Sequence, residues 1–193
     1  MHSWSALPVA ALKNTGKVSG AFLVRGLVDY HAAGRYLHQL PYGRNTDRVN
    51  YQLVLSEGRG TCSTKHALLA ALAMEQNLPV VLTLGIYEMH ERNTPGVGHI
   101  LDQYDLPFIP EAHCYLVYES TRIDVTRSGA EPTEPITRFL HEESIVPEQI
   151  GAYKAQMHQR FLREWAAHST IADGRRFEKL WKIREACIAA LAQ

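Results

Sequence analysis

The chain has 193 residues, of which 46% are hydrophobic and 21% charged, enough for one domain with a substantial core. Its 20 Lys and Arg balance its 20 Asp and Glu, so neither a broad basic field for nucleic acid nor an acidic tail is present. No run of about eighteen apolar residues predicts a membrane span, and the opening MHSWSALPVAALKNTGK lacks the charged start and continuous apolar stretch of a signal peptide. Cys62, Cys114 and Cys187 form a sparse, odd set. That suits a reducing compartment and points to the cytoplasm.

In chain order, residues 1–17 are expected to be a loose lead-in. Ser19 is a candidate N-cap for a helix over roughly 20–40, where Phe22, Leu23, Leu27, Tyr30 and Leu37 recur near the helical period. Pro41-Tyr42-Gly43 ends it in a turn. Residues 44–61 are expected to be irregular, with a helical turn around Tyr51–Leu55. A second helix spans Cys62 to about Asn77, capped by Thr61 and apolar on every side from Ala67 to Met74, the mark of a helix buried all round. Asn77-Leu78-Pro79 stops it, and Val80–Tyr87 is a buried strand. Pro95, Gly96, Gly98, Pro107 and Pro110 make 92–111 a long loop. Ala112–Tyr118 and Arg122–Val125 are short strands about a tight Glu-Ser-Thr turn. Pro132 and Pro135 break the chain again. Helices over roughly 147–168 and 173–191 follow, the second with a stripe at helical spacing through Phe177, Leu180, Trp181, Arg184, Cys187, Ile188 and Leu191.

The stretch EGRGTCSTKH sets Cys62 at the first turn of a helix. There the positive end of the helix dipole and backbone N–H groups without intrahelical partners favour a thiolate, and can also hold a developing oxyanion. Such a thiol ionises below the free value of about 8.5 and becomes nucleophilic near neutrality. Gly58 and Gly60 are expected to let substrate approach the backbone. A thiol nucleophile needs a base, and the base an orienter. The stretch EAHCYLVYESTRIDVT supplies His113 on one strand and Asp124 on the next. With the hairpin centred between Glu119 and Ser120, Asp124 faces Tyr115 and lies diagonal to His113 on one sheet face. Centred one residue earlier, His113 and Asp124 are directly opposite. An intermediate register would separate them onto opposite faces.

PYGRNTDR, LSEGRGTCSTKHALLAALAMEQNLPVVLTLG and HCYLVYESTRIDVT together resemble the transglutaminase-like cysteine enzyme superfamily, over roughly residues 36–127. The resemblance implies an α+β fold with a papain-like core, in which the nucleophile's helix packs on an antiparallel sheet and extra C-terminal helices are added. It implies Cys62 as nucleophile, His113 as general base and later acid, and Asp124 as orienter. Gln52 and Ser63 are the candidates for oxyanion support. The expected organisation is a single domain over 1–193, its core over about 19–130 and a helical extension over about 134–193. The expected activity is a cysteine hydrolase or acyltransferase acting on an amide bond through a thioester, with a peptide, protein or small amide as substrate. The tryptophan that family members often carry a few residues before the aspartate has no counterpart here. That departure supports the alternative, a peptide- or protein-binding module of the same fold without turnover.

Remaining polar residues have plainer readings. Cys114 neighbours His113 on a strand and so points to the opposite face. Cys187 is expected in the core or at an interface of the terminal helix. Lys65 is expected to be a solvated first-turn lysine. Cys62, His66 and His113 could together bind zinc, but no second ligand pair at metal spacing follows, so neither metal nor cofactor is expected. No calcium-binding loop is present. Neither nucleic acid nor membrane is an expected partner, and the oligomeric state stays open.

Overall fold

The computed structural model describes residues 4–126 and 134–191. Among these, seven α-helices and a four-stranded antiparallel sheet make an α+β fold. The single helix expected over 20–40 is two, α1 (Lys17–Leu23) and α2 (Tyr30–Gln39). Gly26 separates them at φ +74°, in the left-handed region that favours glycine. Asp29 then caps α2, its side chain accepting the Ala32 N–H at 2.6 Å. Ser19 is no N-cap. It lies inside α1, and its hydroxyl accepts the N–H groups of Thr15 and Gly16. The first amides of α1 are taken by the Glu75 carboxylate, at 2.9 Å from Val18 and 2.7 Å from Ser19.

Two helices follow, α3 (Leu53–Glu57) and α4 (Cys62–Glu75). Ala67–Ala73 of α4 are buried on every side, while Met74 is exposed. Helices α1, α2 and α3 and the 3-10 turn Pro147–Ile150 all pack on α4. Leu68, Leu69 and Leu72 alone contribute roughly 5–9 kcal/mol of burial.

The sheet runs β3-β2-β1-β4, with β1 (Val81–Met89), β2 (Ile109–Tyr118), β3 (Thr121–Ile123) and β4 (His141–Ile145). Glu119 and Ser120 both have positive φ, the two-residue turn whose twist suits a hairpin. Leu116 pairs with Ile123 and Tyr118 with Thr121, so the hairpin is centred between Glu119 and Ser120. One step further, Asp124 stands across from Tyr115 and diagonal to His113.

The stretch expected as a loop over 92–111 holds α5 (Gly98–Asp102) and the start of β2. Its apolar residues Val97, Leu101, Leu106 and Ile109 are buried, which is what orders it. Strand β4 was not expected. Its sequence HEESI is poor in strand formers, and pairing beside β1 makes the strand. Helices α6 (Ala152–His168) and α7 (Phe177–Ala190) complete the chain near their expected bounds. Pro132 lies outside the described residues.

Two compact units are distinguishable. One comprises Met1–Leu84, His113–Gly129 and Glu143–Gly151, the other Gly85–Ala112, Ala130–Glu142 and Ala152–Gln193. The second has its own core, in which Tyr87, Met89, Leu101, Leu180, Ile183 and Cys187 meet. Gly85 is required there, because a Cβ at that position would lie 2.4 Å from the Phe139 ring. The buried Glu111 accepts two hydrogen bonds of 2.6 Å from Arg184, a forked pair that holds β2 to α7 within this unit.

Candidate active site

The first unit brings Cys62, His113 and Asp124 together. Cys62 is placed from below by the segment before it. Asn45 is buried, and its amide donates to Glu57 at 3.1 Å and to the Arg59 carbonyl at 3.0 Å, while its own oxygen accepts the Thr64 hydroxyl at 2.9 Å. Thr61 and Thr64 form a reciprocal capping box that sets the start of α4. The two glycines expected to admit substrate have internal reasons instead. Gly58 ends α3 at φ +63°. A Cβ on Gly60 would stand 2.9 Å from Lys65 Cγ and 3.0 Å from both Thr64 Oγ1 and Val54 Cγ2, so the chain reaches Cys62 pressed against α4.

Cys62 is partly exposed, and its sulfur lies 3.9 Å from the Ser63 hydroxyl. His113, on β2, donates from Nε2 to Asp124 Oδ2 at 2.9 Å. A side-chain hydrogen bond joins the same ring to Cys62, for which Nδ1 remains. The other oxygen of Asp124 accepts the Thr126 N–H at 2.8 Å. The Tyr115 ring stacks beside His113, with centroids 6.2 Å apart.

Burial alone would lower the proton affinity of His113. The Asp124 carboxylate and then Cys62 outweigh it and raise the ring to about 10. Burial would likewise raise Asp124, yet the imidazolium of His113 holds it well below the usual carboxylate range. Asp124 and Cys62 thus both favour the charged form of the His113 ring. Cys114 and Cys187 are buried, and burial followed by Glu111 pushes the Cys187 thiol up to about 11.

His66 and Lys65 depart from their expected places. The His66 ring is fully buried, with Nδ1 2.8 Å from the Cys62 carbonyl and Nε2 accepting the Val125 N–H at 2.8 Å. Both ring nitrogens are engaged by backbone, so the zinc reading through Cys62, His66 and His113 fails for want of a donor. Burial pushes His66 down to about 4. Its 3.5 Å approach to Asp124 Oδ1 is thus not an ion pair. Lys65 is not solvated. It is fully buried, and its ammonium donates to the carbonyls of Leu40 at 2.6 Å and Thr126 at 2.8 Å. The sequence carried a signal for this, since a helix buried all round has no wet face for a lysine.

Of the two candidates for oxyanion support, Ser63 adjoins the sulfur. Gln52 is exposed at the start of α3. Among the described residues no group of three or more His, Cys, Asp or Glu is arranged to hold a metal ion, and no helix is long and apolar enough to cross a membrane. Compared with family models, with curated proteins and with solved structures, the chain matches none.

Proposed function

We propose that the protein is a cysteine hydrolase or acyltransferase that opens an amide bond, built on a transglutaminase-like, papain-like core. One observation carries the reading: the imidazole of His113 bridges a cysteine at a helix N-terminus and a carboxylate that accepts its Nε2 proton at 2.9 Å. The order of parts supports the core assignment: a helix-borne cysteine, a strand-borne histidine, then an aspartate just past the next strand.

With Asp124 favouring the charged ring and the helix end favouring a thiolate, the reactive pair is thiolate and imidazolium. The sulfur attacks the carbonyl carbon, and the first-turn amides of α4 face the negative oxygen that forms. The carbon–nitrogen bond breaks as His113 gives its proton to the departing amine, leaving a thioester on Cys62 and a neutral imidazole. His113 then takes a proton from water, which attacks the thioester, releasing a carboxylic acid and restoring the ion pair. An amine in place of water would form a new amide. Asp124 steadies the ring and its charge through both halves.

The test uses the whole chain. At about pH 6, iodoacetamide should modify Cys62 well before Cys114 and Cys187, and His113→Ala should slow that step sharply. With an activated ester, mass spectrometry should find an acyl group on Cys62 that is absent from Cys62→Ser and decays with time. Equal labelling of all three cysteines would remove the nucleophile reading. Fast labelling without any acyl transfer would favour a binding module.

A further inference from the structure

Two side chains of α4 that the reaction does not consume, Lys65 and His66, both bond the segment carrying Asp124. We propose that His66 is a positioning residue, a neutral imidazole protonated on Nδ1 that ties the carbonyl of Cys62 to the amide of Val125 and so sets the gap that His113 must bridge. This rests on the reading of Cys62, His113 and Asp124 as nucleophile, base and orienter.

The partners dictate the tautomer. The Cys62 carbonyl can only accept, so Nδ1 carries the hydrogen; the Val125 amide can only donate, so Nε2 offers its lone pair. The two 2.8 Å bonds span from the nucleophile's own residue to the residue after the orienter. Lys65 adds a second tie one residue along on each side, from α4 to the Thr126 carbonyl. The ring has no alternative use: it is fully buried, with Asp124 Oδ1 3.5 Å away, the His113 ring edge-on at 6.2 Å, and Lys65 the other charge that bears on it. A proton on Nε2 would release Val125 and draw the ring toward Asp124, in competition with His113. The depressed proton affinity of His66 keeps that from occurring near neutrality.

Two measurements test this. Long-range ¹⁵N–¹H correlation on the wild-type protein at about pH 7 should find His66 as the Nδ1–H tautomer; an Nε2–H ring or an imidazolium would overturn the proposal. Second, the alkylation rate of Cys62 is followed against pH in three variants. His66→Leu removes both ties and should slow Cys62 at least about tenfold near pH 6, moving its profile to higher pH. His66→Gln places an amide oxygen where Nε2 stands and should recover most of the rate. His66→Asn, which reaches only toward Cys62, should recover less. A residue of merely structural value would lower the melting temperature and leave the profile in place, and that result refutes the inference. If His66→Leu does not fold, His66→Gln against His66→Asn decides, with an equal or faster His66→Asn overturning it; if none folds, the wild-type tautomer decides. Slow wild-type Cys62, or indifference to His113→Ala, sinks the enzyme reading and this inference with it. Fast, His113-dependent alkylation that His66→Leu does not alter sinks the positioning role alone.

Discussion

Replacing Asp124 by asparagine removes one charge from the site and nearly preserves its shape. The amide oxygen can still accept from His113 Nε2, so the ring keeps its place. What changes is the reason the ring holds a proton. Raising His113 from its ordinary 6.5 to about 10 corresponds to roughly 5 kcal/mol in favour of the imidazolium, and Asp124 is the largest of the contributions that raise it. Without that charge, only Cys62 opposes burial, and the ring moves toward neutrality. The thiolate then loses its cation and retains only the helix end. An unassisted thiol ionising near 8.5 is only about 0.3% thiolate at pH 6. The more basic thiolate is also intrinsically more reactive, which offsets part of that loss and leaves a net slowing on the order of tenfold. The assay is iodoacetamide modification of Cys62 by Asp124→Asn and wild type across about pH 5–9.5, read by peptide mass spectrometry. The deficit should be clear near pH 6 and should close near pH 9.5, where even an ordinary thiol is ionised. Equal rates at pH 6, or a deficit that persists unchanged at high pH, would show that Asp124 does not act through the charge of His113.

Two further outcomes concern stability. His66 is held at about 4, so below its ordinary 6.5 the unfolded chain binds a proton that the fold refuses; stability should decline by up to roughly 3 kcal/mol as pH falls from 6.5 toward 4. The depressed Asp124 acts in the same sense, its contribution being lost as pH falls below the ordinary carboxylate value. His113 acts in the opposite sense: its contribution is complete below 6.5 and is lost as pH rises through about 10. Urea midpoints at about pH 4.5, 6.5 and 9.5 should therefore peak at the middle value, and a steady rise to 9.5 would contradict the His113 assignment. Gly60→Ala should cost about 1–3 kcal/mol, because the added methyl meets Lys65 Cγ, Thr64 and Val54, and the ammonium of Lys65 is pinned at its far end. A urea midpoint unchanged from wild type would mean that α4 can shift to admit it.

What the sequence determined by itself is what local chemistry decides. The start of α4 follows from Thr61, its burial from the apolar run after His66, and its end from Asn77-Leu78-Pro79. The alternation through β2 put His113 and Cys114 on opposite faces, and the hairpin left only two registers in which Asp124 could serve His113. The tertiary structure chose between those registers through the turn at Glu119 and Ser120, whose positive φ values need the twist of the paired strands. It also split the first helix at Gly26, where a periodic apolar pattern continues straight through a residue that needs no helix. Strand β4 exists because β1 offers an open edge, a fact that HEESI does not carry. The fates of Lys65 and His66 were beyond local rules for the same reason. A polar side chain inside a buried helix is explained only by the backbone groups that meet it, and apart from the Cys62 carbonyl those come from Leu40, Val125 and Thr126, 25 to 61 residues away.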